Sequence, residues 1–115
     1  MREVALVAAG GAIGSVARYG AYLVLVNASG FPWGTLAVNY IGSFVIGIIA
    51  AANPSQDARL LLMTGVCGGF TTFSAFSLDT VSMMREGQVS RALAYVAASL
   101  VGCIAATWLG FRARG

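Results

Sequence analysis

The chain has no histidine and no lysine, and its only acids are Glu3, Asp57, Asp79 and Glu86 among 115 residues. Without imidazole, and with carboxylates so few and scattered, metal chemistry and acid–base catalysis are poorly provided for. No nucleophile–base pair is in sight either, so an enzyme is not expected. Charged residues make up 10% of the chain against 58% hydrophobic, more apolar surface than one soluble domain could hide. The two cysteines, Cys67 and Cys103, fall inside separate apolar runs and read as reduced packing residues rather than a disulfide. Seven arginines carry all the side-chain basic charge. They are scattered and mostly lie beside the ends of apolar runs, as membrane-interface anchors do, so no nucleic-acid partner is expected.

What is present is hydrophobic length. Val4–Val26, Trp33–Ala52, Arg59–Met84 and Arg91–Phe111 each reach the roughly 20 residues that cross a hydrocarbon core. The chain therefore reads as an all-α, multi-pass membrane protein, with residues 1–115 forming one four-helix transmembrane domain. Little is left over for a soluble lobe, and function must lie between helices. The first run is too long for a signal-peptide core and is followed by three more, so it is expected to be retained.

The third run does not read as a plain helix. Gly65, Gly68 and Gly69 weaken it, and the hydroxyls of Thr71, Thr72, Ser74 and Ser77 follow. In lipid every backbone N–H and C=O needs a partner, so a broken helix is tolerated only where it is buried in protein or lines a wet cavity. A break here would place helix ends, with their partial charges, at membrane depth where ions can be held.

The other runs carry polar stripes. In the first, Gly10, Gly14 and Arg18 recur every four residues beside Gly11 and Ser15, a small-residue face suited to close helix packing. Arg18, inside a span, must either reach the interface or find a wet or paired setting. Asn27–Pro32 is a turn cluster, and Trp33 follows at the interface. Thr35, Asn39 and Ser43 recur at four-residue steps, with Gly47 next. Asn39 either hydrogen-bonds across to another helix or turns its amide N–H groups toward a water-filled path for an anion. Phe73 and Phe76, three apart, share a helix face amid hydroxyls. Arg91, Tyr95, Ser99, Cys103 and Thr107 make a polar track along the last run.

Four crossings put Arg2, Arg59, Arg112 and Arg114 on one side and Arg85 and Arg91 on the other. That is a weak orientation bias, so the chain could insert both ways. Two oppositely oriented copies would then reproduce the pseudo-two-fold arrangement that larger transporters obtain from inverted repeats.

Three blocks, Gly10–Tyr19, Gly34–Asn39 and Gly65–Ser77 with Asp79, together resemble the Fluc/CrcB family of fluoride channels, and the resemblance covers nearly the whole chain. It implies an antiparallel, dual-topology homodimer in the cytoplasmic (inner) membrane that passes fluoride out of the cell passively, with two pores and one structural central sodium ion (Na+). By that similarity Asn39 lines a pore, Phe73 and Phe76 turn ring edges toward fluoride, and Thr71 and Thr72 belong to a broken third helix. Tyr95 and Ser99 join the polar track, and Arg18 is a further pore candidate. The backbone carbonyls of Gly68 and Gly69 would hold the sodium. Cys103 stands where the pattern expects serine, and a thiol is a poorer donor than a hydroxyl. Ring edges carry the positive side of the aromatic quadrupole, so they face a small anion without trapping it as a cation would.

Two other readings fit the size of the chain. A small four-helix multidrug exporter would need a carboxylate deep in the first span, and Val4–Val26 has none. A non-transporting membrane scaffold would use the glycines and hydroxyls for packing alone.

Overall fold

The computed structural model describes residues 1–26 and 29–114, so Asn27 and Ala28 of the expected turn lie outside the described residues. Among these residues every regular element is helical: α1 (Arg2–Val24), α2 (Trp33–Ala51), α3 (Gln56–Ala58), a π-helical segment (Arg59–Cys67), α4 (Gly68–Phe70), α5 (Phe73–Arg85) and α6 (Val89–Arg114). Four stretches, Arg2–Val24, Trp33–Ala51, Gln56–Arg85 and Val89–Arg114, are long and apolar enough to cross a membrane. The chain is thus a multi-pass membrane protein of the all-helical class.

Local chemistry sets the joints between the helices. Pro32 caps α2, where its fixed φ and missing N–H cost nothing. Asn53 takes a left-handed φ of 50° just beyond α2, a conformation asparagine tolerates better than most side chains. Ser55 accepts the Ala58 N–H at 3.2 Å to start α3. Gly87, at φ 79°, turns the chain between α5 and α6. There the Gln88 and Gly87 N–H groups bond back to Met83 and Met84 carbonyls, the Schellman pattern that only a residue free of a Cβ adopts cheaply.

Two glycine seams hold the helices together. Along the first, α1 lies against the π-helical segment and α4. A methyl added at Gly10 would strike the Leu61 carbonyl and sit 2.8 Å from Gly65 Cα, and one at Gly14 would strike the Val66 carbonyl and sit 2.8 Å from the Phe70 nitrogen. Gly69 presses on Gly11 in the same way. Along the second seam, Gly47 meets the Thr107 carbonyl and Gly110 the Phe44 carbonyl, while Gly102 makes room for Tyr40. In lipid, helices gain little by hiding greasy side chains from one another, so backbone approach through small residues is what brings them together. The small-residue face expected on α1 is therefore a packing face. The α2–α6 seam is its counterpart, and Gly47, expected to continue the polar stripe, belongs to it.

Leu36, Phe76, Met83, Ala92 and Tyr95 form a small buried cluster between α2, α5 and α6. Most other large apolar side chains, such as Ile13, Val16, Val101 and Ile104, are exposed, as suits a surface solvated by lipid. At one end of the bundle Arg91 places both terminal nitrogens 3.3 Å from the Ser29 carbonyl and stacks 5.6 Å from the Phe31 ring centre. At the other, Arg2 pairs with Asp57 at 3.6 Å and Arg59 donates to Asn53 at 3.2 Å. These two sets match the sides to which four crossings assign the arginines.

The seams make a direct prediction. Gly14→Ala forces backbone apart and should destabilise the protein by about 1–3 kcal/mol. Gly20→Ala, where an added methyl meets nothing within 4 Å, should be neutral or stabilising by up to about 1 kcal/mol through helix propensity. Unfolding of the two variants in detergent checks the contrast.

Candidate functional site

The third crossing changes course at Thr71 and Thr72. Their backbones are extended, at φ −88°, ψ 157° and φ −152°, ψ 117°, between the helical turn Gly68–Phe70 and α5. The change falls at these two threonines and not at the glycines: Gly65, Gly68 and Gly69 lie within helical or π-helical turns, and two of them, Gly65 and Gly69, serve the α1 seam.

Extended residues inside a membrane helix leave backbone groups without helical partners, and side chains take over that duty here. Asn39, on α2, bonds Thr72 twice: its Oδ1 accepts the Thr72 N–H at 2.8 Å and its Nδ2 donates to the Thr72 carbonyl at 3.1 Å. The two bonds also fix which way the amide faces, since only the oxygen can accept and only the nitrogen can donate. Thr71 returns its hydroxyl to the Cys67 carbonyl at 2.9 Å, and Thr72 Oγ1 caps α5 by accepting the Ala75 N–H at 3.1 Å. Thr72 Oγ1 also lies 3.2 Å from Ser74 Oγ. The Thr71 methyl fills the space left by Gly42.

Beside this clasp runs a groove of about 360 Å³ between α2, the third crossing and α6. Asn39, Gly68, Thr71, Thr72, Phe73, Phe76 and Ser99 all line it, together with Ser43, Cys67 and Cys103. Seven of the sequence-predicted site residues thus converge. Asn39 spends one amide hydrogen on Thr72, which leaves the other for the groove. The Ser99 hydroxyl is buried, with the residue 5% exposed, and has no hydrogen-bond partner among the described residues. An unpartnered donor at such a position is costly unless something visits it. Phe73 and Phe76 sit 5.3 Å apart at 53°, one ring 71% exposed and the other 7%.

Arg18, Gly69 and Tyr95 do not line this groove. Arg18 is paired with protein: its Nε donates to the Gly69 carbonyl at 3.1 Å. Tyr95 is fully buried, packs tilted against Phe76 with ring centres 5.2 Å apart and gives its hydroxyl to Asp79 Oδ2 at 3.1 Å. Neither link follows from the sequence. The signals that were available are the mid-span positions of Arg18 and Asp79, each of which demands a partner without naming it.

Carbonyls at the change of course suit a hard cation in part. The Thr72 N–H, which would close a helical bond onto the Gly68 carbonyl, goes to Asn39 instead, so Gly68 offers a helix-end oxygen of the sort that holds alkali and alkaline-earth ions. The Gly69 carbonyl already accepts from Arg18 and has only its second lone pair to give. Among the described residues no group of three or more cysteine or acidic side chains could hold a metal ion, so any cation site here would be built from backbone.

Residues 5–111 match the family described as CrcB-like protein, Camphor Resistance (CrcB). Among similar curated proteins, the "Fluoride-specific ion channel FluC" of Agrobacterium fabrum is 51% identical over 117 residues, covering 96% of this chain and 94% of that protein. Proteins of the same description from Rhizobium etli and Opitutus terrae are 50% and 46% identical, covering 96% and 90% of this chain and 94% and 86% of their own lengths.

The Asn39–Thr72 clasp predicts a graded response. Asn39→Ala orphans two backbone groups and should cost about 1–3 kcal/mol for each one left dry. Asn39→Asp keeps the acceptor for the Thr72 N–H but sets a carboxylate oxygen against the Thr72 carbonyl, and should be at least as damaging. Chemical unfolding of the purified variants measures both.

Proposed function

The chain belongs to the CrcB family, and from that membership we propose that it is a fluoride-specific channel, passing the ion passively out of the cell across the cytoplasmic membrane. The observation that carries the reading is the groove: an amide N–H from Asn39, the unpartnered Ser99 hydroxyl and the Phe73 and Phe76 rings meet beside Thr71 and Thr72 with no ionised side chain among them. Fluoride holds its water tightly, so a path must offer several donors at once to replace that shell. It must also avoid a fixed cation that would keep the ion. Neutral donors and ring edges meet both demands.

In this reading the working unit is an antiparallel homodimer with two pores. A membrane helix broken at Thr71–Thr72 in each copy meets its twin, which covers the exposed Phe73. The weak arginine bias between the two ends, which lets the chain insert both ways, supports it. A structural sodium ion on the two-fold axis would be held by Gly68 and Gly69 carbonyls from both copies and would supply a buried positive charge near the anion paths. The freed Gly68 oxygen supports that assignment. Tyr95 acts from behind Phe76, holding the ring in place. Arg18 acts through its charge and its tie to Gly69 rather than by touching fluoride.

Proteoliposomes test the function. Fluoride should run out down its gradient while chloride stays trapped; equal chloride flux, or none of either ion, overturns the reading. Phe76→Ile, which keeps apolar bulk and removes the ring edge, should slow fluoride efflux about tenfold or more, equivalent to roughly 1.4 kcal/mol on the limiting barrier. Tags on the N-terminus should be found on both faces of the membrane.

A further inference from the structure

Asp79 is set within α5, six residues before that helix ends at Arg85, roughly 9 Å along the axis. Its Oδ2 accepts the Tyr95 hydroxyl. No basic side chain lies within ion-pair distance of it among the described residues. Arg91, at the same end of the bundle, is committed to the Ser29 carbonyl and the Phe31 ring. A half-buried carboxylate in a membrane-spanning stretch, with one hydroxyl partner and no basic one among the described residues, is suited to a positive charge from elsewhere.

The carboxylate borders a hollow of about 380 Å³, separate from the groove, whose walls include Tyr22, Trp33, Thr35 and Asp79. Thr35 and Tyr22 share one hydroxyl–hydroxyl hydrogen bond at 3.3 Å, and the Tyr22 ring lies against Gly34. Beside that pair the hollow offers ring surface and the Asp79 carboxylate, whose Oδ2 takes the Tyr95 hydroxyl. Half-exposed Trp33 opens α2 at the rim, the level at which indoles meet lipid headgroups.

We propose that this hollow binds an organic ammonium ion, its charge met by Asp79 and its C–H and N–H groups laid on the Tyr22 and Trp33 rings. A carboxylate flanked by aromatic faces is the chemistry that selects ammonium over a bare metal ion, which would ask for more oxygens than are free here. The ammonium group comes either from an ethanolamine lipid headgroup or from a free alkylamine.

The test uses the full chain in nanodiscs, with Trp108→Phe leaving Trp33 as the sole indole. In discs of phosphatidylglycerol alone, ethylammonium should change Trp33 emission saturably, and sodium at equal concentration should not. Asp79→Asn and Tyr22→Leu should each weaken the apparent affinity about tenfold or more; should Asp79→Asn fail to fold, Tyr22→Leu decides. Discs containing phosphatidylethanolamine separate the sources. A wild-type response already present there and competing with ethylammonium assigns the site to the headgroup, and an unchanged ethylammonium titration assigns it to the free amine. A non-saturable response, an equal response to sodium, or full affinity in either variant overturns the proposal.

Discussion

The double hydrogen bond between Asn39 and Thr72 is the contact on which the rest of the site depends. Two consecutive extended residues cannot survive in hydrocarbon unless their amides and carbonyls are paired, and a primary amide is the smallest side chain that supplies one donor and one acceptor in a fixed plane. Once Asn39 holds Thr72, the Thr72 hydroxyl is positioned to begin α5. The new helix then presents Phe73 and Phe76 on one face, beside Ser99 of α6. The Gly68 carbonyl is freed by the same bond. One side chain therefore links the conformation of the chain, the lining of the groove and the availability of a helix-end oxygen.

The glycine seams are what allow that side chain to reach. Asn39 is short, so α2 and the third crossing must run close together, and Gly42 admits the Thr71 methyl just one turn along. The α2–α6 seam does the same for the opposite wall, drawing Ser99 to the groove while Tyr40 bonds the Ala98 carbonyl at 2.6 Å. Packing in this protein is mostly backbone on backbone, and the buried apolar cluster is small. Its stability and its site geometry thus rest on the same few positions without a Cβ.

Much of this was legible in the sequence, because hydropathy and spacing are strong signals in a membrane. Four spans follow from run lengths and a changed course in the third from glycines and threonines where a helix should be, whereas a common path for Asn39, Phe73, Phe76 and Ser99 is what the family resemblance implies, and all four line the groove. The position of the course change was less legible. Glycines weaken a helix in water, but in lipid they are used to bring helices together, so Gly65 and Gly69 mark a seam and the extended residues are threonines. The widened π-helical turns at Arg59–Cys67 leave no compositional trace at all. Partner choice was also hidden: Arg18 could have met solvent, an acid or a carbonyl, and only the fold brings Gly69 to it. Tyr95 belongs to a track by spacing, yet its fully buried ring and its bond to Asp79 turn its hydroxyl away from the groove.

The tie between Arg18 and Gly69 has an electrostatic consequence. A guanidinium satisfied by a carboxylate is a neutral pair whose field dies within a few ångströms, whereas one satisfied by a peptide dipole keeps its net charge. Among the described residues no acid lies within ion-pair distance of Arg18. Surrounded by a low-dielectric slab, that monopole projects a positive potential across the bundle.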